Sequence, residues 1–292
     1  MSFKKDFFKP KNYLKLFYKP GKIFTAIRMY YHAYYNARTD IKYRELTDKQ
    51  IISLYKNSLK ALGRLASRSK KTLQIQTIEE VFGTGLEKNI ECIQLGELFK
   101  TYGSDKSDHY NPLLQDQHNY YLIYFALLQH KRAEALKVLE IGLGTNNLDV
   151  LSNMGKTGRP GASLRAFKDF LPNAYIYGAD IDQRILFKEE RIETFFIDQT
   201  NLQILYRFKQ NLGNTKFDII IDDGLHNSEA NLNTIDFALD LLSENGILMI
   251  EDIKEEDVIY YRLLYKLLEE RYSMQFIKTK LACVCLIKAL SH

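Results

Sequence analysis

Val138-Leu139-Glu140-Ile141-Gly142-Leu143-Gly144-Thr145-Asn146 is a short apolar run interrupted by one acid and closed by two glycines. It lacks the apolar–polar alternation of a strand with one wet face, so it predicts a strand buried on both sides. Six further runs repeat the pattern at 175–178, 194–197, 217–221, 246–250, 274–278 and 282–287, most of them separated by helical stretches. Apolar strands alternating with helices predict a doubly wound α/β domain over residues 137–292, built on a mostly parallel seven-stranded sheet. The last two runs are so close that only a hairpin joins them, which predicts an antiparallel strand at the end of the sheet.

Ligands of such sheets sit beyond the carboxyl ends of the strands, so the residues there carry the functional signal. Gly142 and Gly144 have no Cβ and let a ligand approach the backbone. A dinucleotide fingerprint needs a further glycine at position 147, where the chain has Asn147, and this disfavours a nicotinamide cofactor. The second strand ends in Tyr177-Gly178-Ala179-Asp180-Ile181-Asp182. A carboxylate in that place has two oxygens with which to accept the hydroxyls of a ribose.

Outward from the domain, composition bounds the classes. Of 292 residues, 46% are hydrophobic and 26% charged, as in a globular protein. No apolar run approaches the ~18 residues of a spanning helix, and charges interrupt the basic N-terminus before a signal-peptide core forms. The chain is expected in the cytoplasm. Cys92, Cys283 and Cys285 have no metal or redox spacing and are expected as buried thiols. Residues 1–71 hold 18 of the 41 basic residues but 4 of the 36 acidic ones, so this quarter is near +14 and the remainder near −9. Aromatic rings are interleaved with the lysines of residues 1–36. That composition predicts either peripheral contact with the inner face of a membrane or an arm that packs on the acidic remainder or on a second copy. No motif for nucleic acid accompanies the charge. The expected organisation is a basic, aromatic-rich helical extension (1–71), with one amphipathic helix from about 47 to 66. A helical and irregular lead-in (72–136) follows, with helices near 93–99 and 113–130, and then the α/β domain.

Glu140-x-Gly142-x-Gly144 followed by Gly178-x-Asp180 resembles the class I S-adenosylmethionine-dependent methyltransferases, with their Rossmann-like fold. Tyr102-Gly103-Ser104-Asp105-Lys106, Gly161-Ala162-Ser163-Leu164-Arg165, Asp198-Gln199, Ile221-Asp222-Asp223-Gly224-Leu225-His226 and Ile250-Glu251-Asp252 narrow the likeness. They follow the order seen in metal-dependent sugar O-methyltransferases, including macrolide-sugar enzymes of the mycinamicin type and relatives from polysaccharide clusters. The resemblance covers about residues 103–253. It implies that Glu140, Gly142, Gly144 and Asn146 line the amino-acid and ribose part of the cofactor, with Asp180 on the ribose and Asp198 and Gln199 toward the adenine. It places Ser163 and Arg165 at the methionine end and adds Asp222 and Lys106 to the cofactor set, with His109 and Tyr110 in a segment that reaches over it. Asn146 replaces a common third glycine and Leu225 a common serine.

A sugar hydroxyl is a weak acid, and His226 is suited to take its proton. Asp223 precedes it by three residues, and Glu251-Asp252 closes the next strand. Three carboxylates meeting at one point repel unless a cation lies between them, and a set without sulfur selects Mg²⁺ or Mn²⁺. Asp223, Glu251 and Asp252 are therefore the expected metal ligands, and His226 with Asp223 the catalytic pair. The layout also resembles that of catechol O-methyltransferase, with His in place of Lys. The competing interpretation makes Asp222 and Asp223 helix caps and Glu251-Asp252 a solvated strand end. His32, His118, His130 and His292 are expected to be incidental. The expected activity is methylation of a nucleotide-linked, capsule or lipopolysaccharide sugar. Alternatives are a phosphorylated, phosphoramidate or phenolic acceptor, or a scaffold that keeps the fold without turnover.

Overall fold

The computed structural model describes residues 73–290 apart from 110 and 113–115, together with isolated positions between 57 and 68. The chain divides into two units, Met1–Ser69 and Lys70–His292, and everything below concerns the second. The expectations for the aromatic arm 1–36, His32, Tyr110 and His292, and most of the helix expected over 47–66, lie outside the described residues.

Strand β1 (Ile75–Thr77) runs directly into α1 (Ile78–Phe82), where Thr77 and Glu80 form a reciprocal capping box. Helix α2 (Ile90–Tyr102) starts at Asn89, whose side chain accepts from Glu91 N and Cys92 N, and stops at Gly103 with φ +86°. Helix α3 (Tyr120–Leu128) is apolar on nearly every side and buried accordingly. It is shorter than the helix expected near 113–130, because described residues 116–119 form a turn that brings His118 N to Asp105 O. The α/β part follows as β2 (Lys137–Ile141), α4 (Ala162–Phe170), β3 (Tyr175–Asp180), β4 (Lys188–Glu189), β5 (Ile192–Phe196) and α5 (Leu202–Leu212). It continues through β6 (Phe217–Asp222), α6 (Ser228–Leu239), β7 (Leu242–Ile253), α7 (Val258–Leu268), β8 (Tyr272–Lys278) and β9 (Cys283–Ala289).

The sheet order is β1-β8-β9-β7-β6-β2-β3-β5-β4. The seven expected runs are its seven central strands, and the short β1 and β4 extend the two edges. The antiparallel strand of the last hairpin is β9, which lies inside the sheet between β7 and β8, so β8 and then β1 finish that side; the short β4 is antiparallel at the other edge. Successive strand residues face opposite sides, and both sides are dry. Val138, Ile176, Ile221 and Met249 pack toward Phe99, Tyr124 and Phe167 of α2, α3 and α4. Leu139, Ile220, Leu248 and Ile250 pack toward Phe208, Ile235 and Tyr261 of α5, α6 and α7. The lead-in is thus part of the cover of one face of the sheet. All three cysteines are buried free thiols. Strand order reverses between β2 and β6, which opens a crevice at their carboxyl ends. No helix among the described residues is long and apolar enough to cross a membrane.

Candidate active site

Pairing sets the level of each side chain at that crevice. Ile141 pairs with Asp222, and Asp222 with Ile250, so Gly142, Asp223 and Glu251 emerge together one residue later. Pleat alternation then sorts the acids by face. Glu140, Asp223 and Glu251 point to the side of α3 and α4, whereas Asp222 points to the side of α6. The last turn of β7 breaks the rule: its register with β9 shifts between Ile250 and Ile253, and Asp252 has φ +54°. A bulge of this kind re-aims a side chain, and it presents the Asp252 carboxylate to His226 and Tyr120.

Gly142 has φ +96°, and a Cβ built on it would lie 2.0 Å from the Asp223 carbonyl oxygen. Gly144 has φ +73°, and its Cβ would meet Met154 Sδ at 2.4 Å. These approaches leave a cavity of about 470 Å³ in front of the loop, walled by Thr145, Asp180, Asp182, Asp198, Gln199, Asp223, His226 and Asp252 among others. Asp180 accepts from Leu143 N at 2.7 Å and from Asp182 N at 2.8 Å, which fixes the glycine loop against the end of β3. Asp182, absent from the expected set, accepts from Thr145 Oγ1 at 2.6 Å, Asn147 Nδ2 at 2.8 Å and Arg184 Nε at 2.7 Å. The Arg184 guanidinium holds its carboxyl below the usual range. Asp198 folds back on Thr200 at the cavity wall. Gln199 donates to Asp222 Oδ1 and Thr234 Oγ1, each at 2.7 Å, and accepts from Leu225 N at 2.9 Å. It thereby positions the 222–225 loop.

Beyond β6 and β7, His226 Nε2 lies 3.8 Å from Asp223 Oδ1 and Nδ1 lies 3.7 Å from Asp252 Oδ2. His226 has φ +52°, a strained conformation that places the ring between the two acids. Among the described residues, Asp223, His226 and Asp252 form the one group of three possible ligand atoms that all lie within 4.8 Å of one another. Two carboxylates open to a cavity, with no sulfur beside them, fit Mg²⁺ or Mn²⁺. The glycine cradle fits a ligand that meets the backbone at the end of β2.

Several expected roles change. Glu251 does not reach that group: it is fully buried, with Tyr124 Oη donating to Oε1 and the Lys106 ammonium to Oε2. Lys106 itself is 2% exposed, 2.6 Å from Asp223 Oδ2 and 3.3 Å from Glu140 Oε1, and is not among the residues that line the cavity. Burial alone would lower its affinity for a proton, but the charges of Asp223, Glu251 and Glu140 outweigh this and hold it well above its ordinary value. Burial pushes Glu140 up to about 7 against the pull of Lys106, and Ser163 Oγ donates to Glu140 Oε2 at 2.7 Å. Glu140, Ser163, Asp222 and Lys106 therefore brace the wall from behind. Arg165 pairs with Glu189 and lies 4.3 Å over the Phe187 ring, and Asn146 is exposed; neither lines the cavity. His109 Nδ1 faces Glu97 Oε1 at 2.9 Å, on α2 and away from the crevice.

Other groups at the site come from the lead-in; Asp105 belongs to the quoted 102–106 segment, whereas His118 and Tyr120 belong to no motif. Tyr120 Oη donates to Asp252 Oδ1 at 2.6 Å, and His118 Nε2 lies 3.5 Å from the same oxygen, so His118 is not incidental. Burial, then the charge of Asp223, raises the Asp105 carboxyl to about 7 at the cavity wall. Only the helix expected near 113–130 and the adjacent Asp105-Lys106 signalled this layer in the sequence.

No family model matches the chain. Over 123 residues, 42% of its length, it is 36% identical to the mycinamicin VI 2''-O-methyltransferase of Micromonospora griseorubida. Over 122 residues it is 33% identical to the demethylmacrocin O-methyltransferase of Streptomyces fradiae. The match spans 28% of the length of each of these relatives. Among solved structures, the MycE methyltransferase of the mycinamycin pathway, in complex with Mg, SAH and mycinamycin VI, superposes with a TM-score of 0.51 at 23% identity. That match covers 67% of this chain and 54% of the other. The fold is that of the class I methyltransferases, and the expected likeness to sugar O-methyltransferases holds in sequence.

Proposed function

We propose that this unit transfers the methyl group of S-adenosylmethionine to a sugar hydroxyl, with one divalent ion, Mg²⁺ or Mn²⁺, at Asp223 and Asp252. The observation that carries this proposal is the meeting of Asp223, His226 and Asp252 at the mouth of a cavity whose floor is the glycine cradle. Asp180 ends the strand beside that cradle and Asp182 follows two residues on, where ribose hydroxyls find acceptors, and Asp198 stands farther along the wall toward the adenine. When bound, the ion supplies Lewis acidity that lowers the pKa of an alcohol held on it. His226, held beside the two carboxylates, would take the hydroxyl proton as the oxygen attacks the methyl carbon and the carbon–sulfur bond breaks, leaving S-adenosylhomocysteine. Gly142 and Gly144 keep the wall thin enough for donor and acceptor to meet in line.

The wall carries Asp105, Asp149, Asp180, Asp182, Asp198, Asp223 and Asp252 against Arg184 among the described residues. That charge suits the sulfonium donor and a neutral glycoside better than a phosphorylated acceptor. The relatives named above carry macrolide substrates in their names, so macrolide glycosides head the acceptor panel. Nucleotide-linked sugars, capsule or lipopolysaccharide sugars and a catechol complete it. The test is mass spectrometry of acceptors incubated with the protein, S-adenosylmethionine and Mg²⁺. A methyl ether on a sugar, lost with EDTA, is the expected product. Methylation confined to phenols or phosphorus-linked oxygens would reject the sugar, and cofactor binding without turnover on any acceptor would favour the scaffold.

A further inference from the structure

A buried ammonium stands among three carboxylates at the ends of three neighbouring strands. Lys106 Nζ contacts Glu251 Oε2, Asp223 Oδ2 at 2.6 Å and Glu140 Oε1 at 3.3 Å, and its side chain is 2% exposed. The three acids come from the ends of β7, β6 and β2. Lys106 comes from the lead-in and is fastened there by Tyr121 N donating to its carbonyl. Asp223 is divided by the contact: Oδ2 belongs to Lys106, and Oδ1 faces His226 at 3.8 Å. We propose that Lys106 is a positioning residue, the permanent cation of a two-cation carboxylate cluster, and that it confines the exchangeable divalent ion to the Asp223 Oδ1–His226–Asp252 side.

Carboxylates this close cannot all remain ionised in a dry site without cations between them. Two-metal sites hold a pair of cations about 3.5–4 Å apart. Here one position is filled covalently, by a side chain that cannot leave. The arrangement also ties Glu140, directly before the glycine loop, to Asp223 of the ion site, so the donor and ion halves of the cavity share one anchor. The role of the anchor in methyl transfer rests on the function proposed above, whereas its effect on cation binding does not.

The discriminating experiment counts bound Mn²⁺ on the full chain by loss of the free-ion electron paramagnetic resonance signal, with no methyl donor or acceptor present. Lys106→Ala is expected to bind one more Mn²⁺ per chain than the wild type, and ethylammonium, which supplies the missing ammonium, is expected to abolish the extra ion. An unchanged count in folded Lys106→Ala overturns the inference. If Lys106→Ala does not fold alone, ethylammonium or Mn²⁺ is expected to restore its cooperative melt, and failure of both also overturns it. A wild type that binds Mn²⁺ but transfers no methyl group would instead sink the proposed function and leave the count to decide on Lys106.

Discussion

In the proposed reaction Asp223, His226 and Asp252 have different roles, and substitution separates them. His226→Ala removes the base but neither carboxylate, so kcat is expected to fall by about 10²–10⁴-fold, the usual worth of a general base, while affinity for S-adenosylhomocysteine stays within about threefold. Calorimetric titration beside steady-state rates checks this, and parallel loss of both would remove His226 from the chemistry. Gly142 is constrained by space: a methyl group there meets the Asp223 carbonyl oxygen at 2.0 Å on a backbone already at φ +96°. Gly142→Ala is expected to destabilise the fold by about 1–3 kcal/mol and to weaken cofactor binding together with it. Urea unfolding and the same titration would show both. At this scale the glycines and the acids were legible in the sequence, because turn chemistry and charge belong to single residues. The division of the acids was not: Glu251 and Asp252 are adjacent in the chain, yet one is sealed against Tyr124 and the other faces the cavity.

Among the elements, α3 and the last turn of β7 act as a pair. Asp252 is turned off the strand rule by the register shift after Ile250, and Tyr120 at the start of α3 holds the turned carboxylate at 2.6 Å. Hydrogen bonds to a ligating carboxylate orient it, and their loss commonly weakens metal affinity by about 10–100-fold. Tyr120→Phe is expected to raise the Mn²⁺ dissociation constant within that range. The melting temperature should change little, since the ring remains packed. An unaltered Mn²⁺ affinity would show that the bulge alone sets Asp252. The helix expected near 113–130 announced the element but neither its burial nor its hydroxyls. Which tyrosine of Tyr120, Tyr121 and Tyr124 reaches the site depends on how the helix is rotated against the sheet, and apolar packing around the helix decides that.

For the whole molecule, the buried acids link stability to pH. Glu140 is raised from 4.5 to about 7, chiefly by burial, and Asp105 is likewise raised to about 7. Below their ordinary values both folded and unfolded chains hold these protons, and above about 7 both release them. Between those limits only the folded chain holds them, so stability falls as pH rises through the window. Without divalent ion, urea unfolding is expected to show a more stable protein near pH 5 than near pH 8, and Glu140→Gln should flatten part of that slope. A rise in stability over the same interval would contradict the buried, proton-holding state of Glu140. The α/β class, the seven central strands and the cluster of acids and glycines at their ends were determined by the sequence alone, because strand periodicity and turn residues are properties of neighbouring positions. Only the tertiary structure decided that the antiparallel strand lies inside the sheet, that Lys106 stands among Glu140, Asp223 and Glu251, and that Asp252 turns to His226. Those contacts join residues up to 145 positions apart, and it is strand register and helix burial, not local pattern, that bring such residues within a few ångströms.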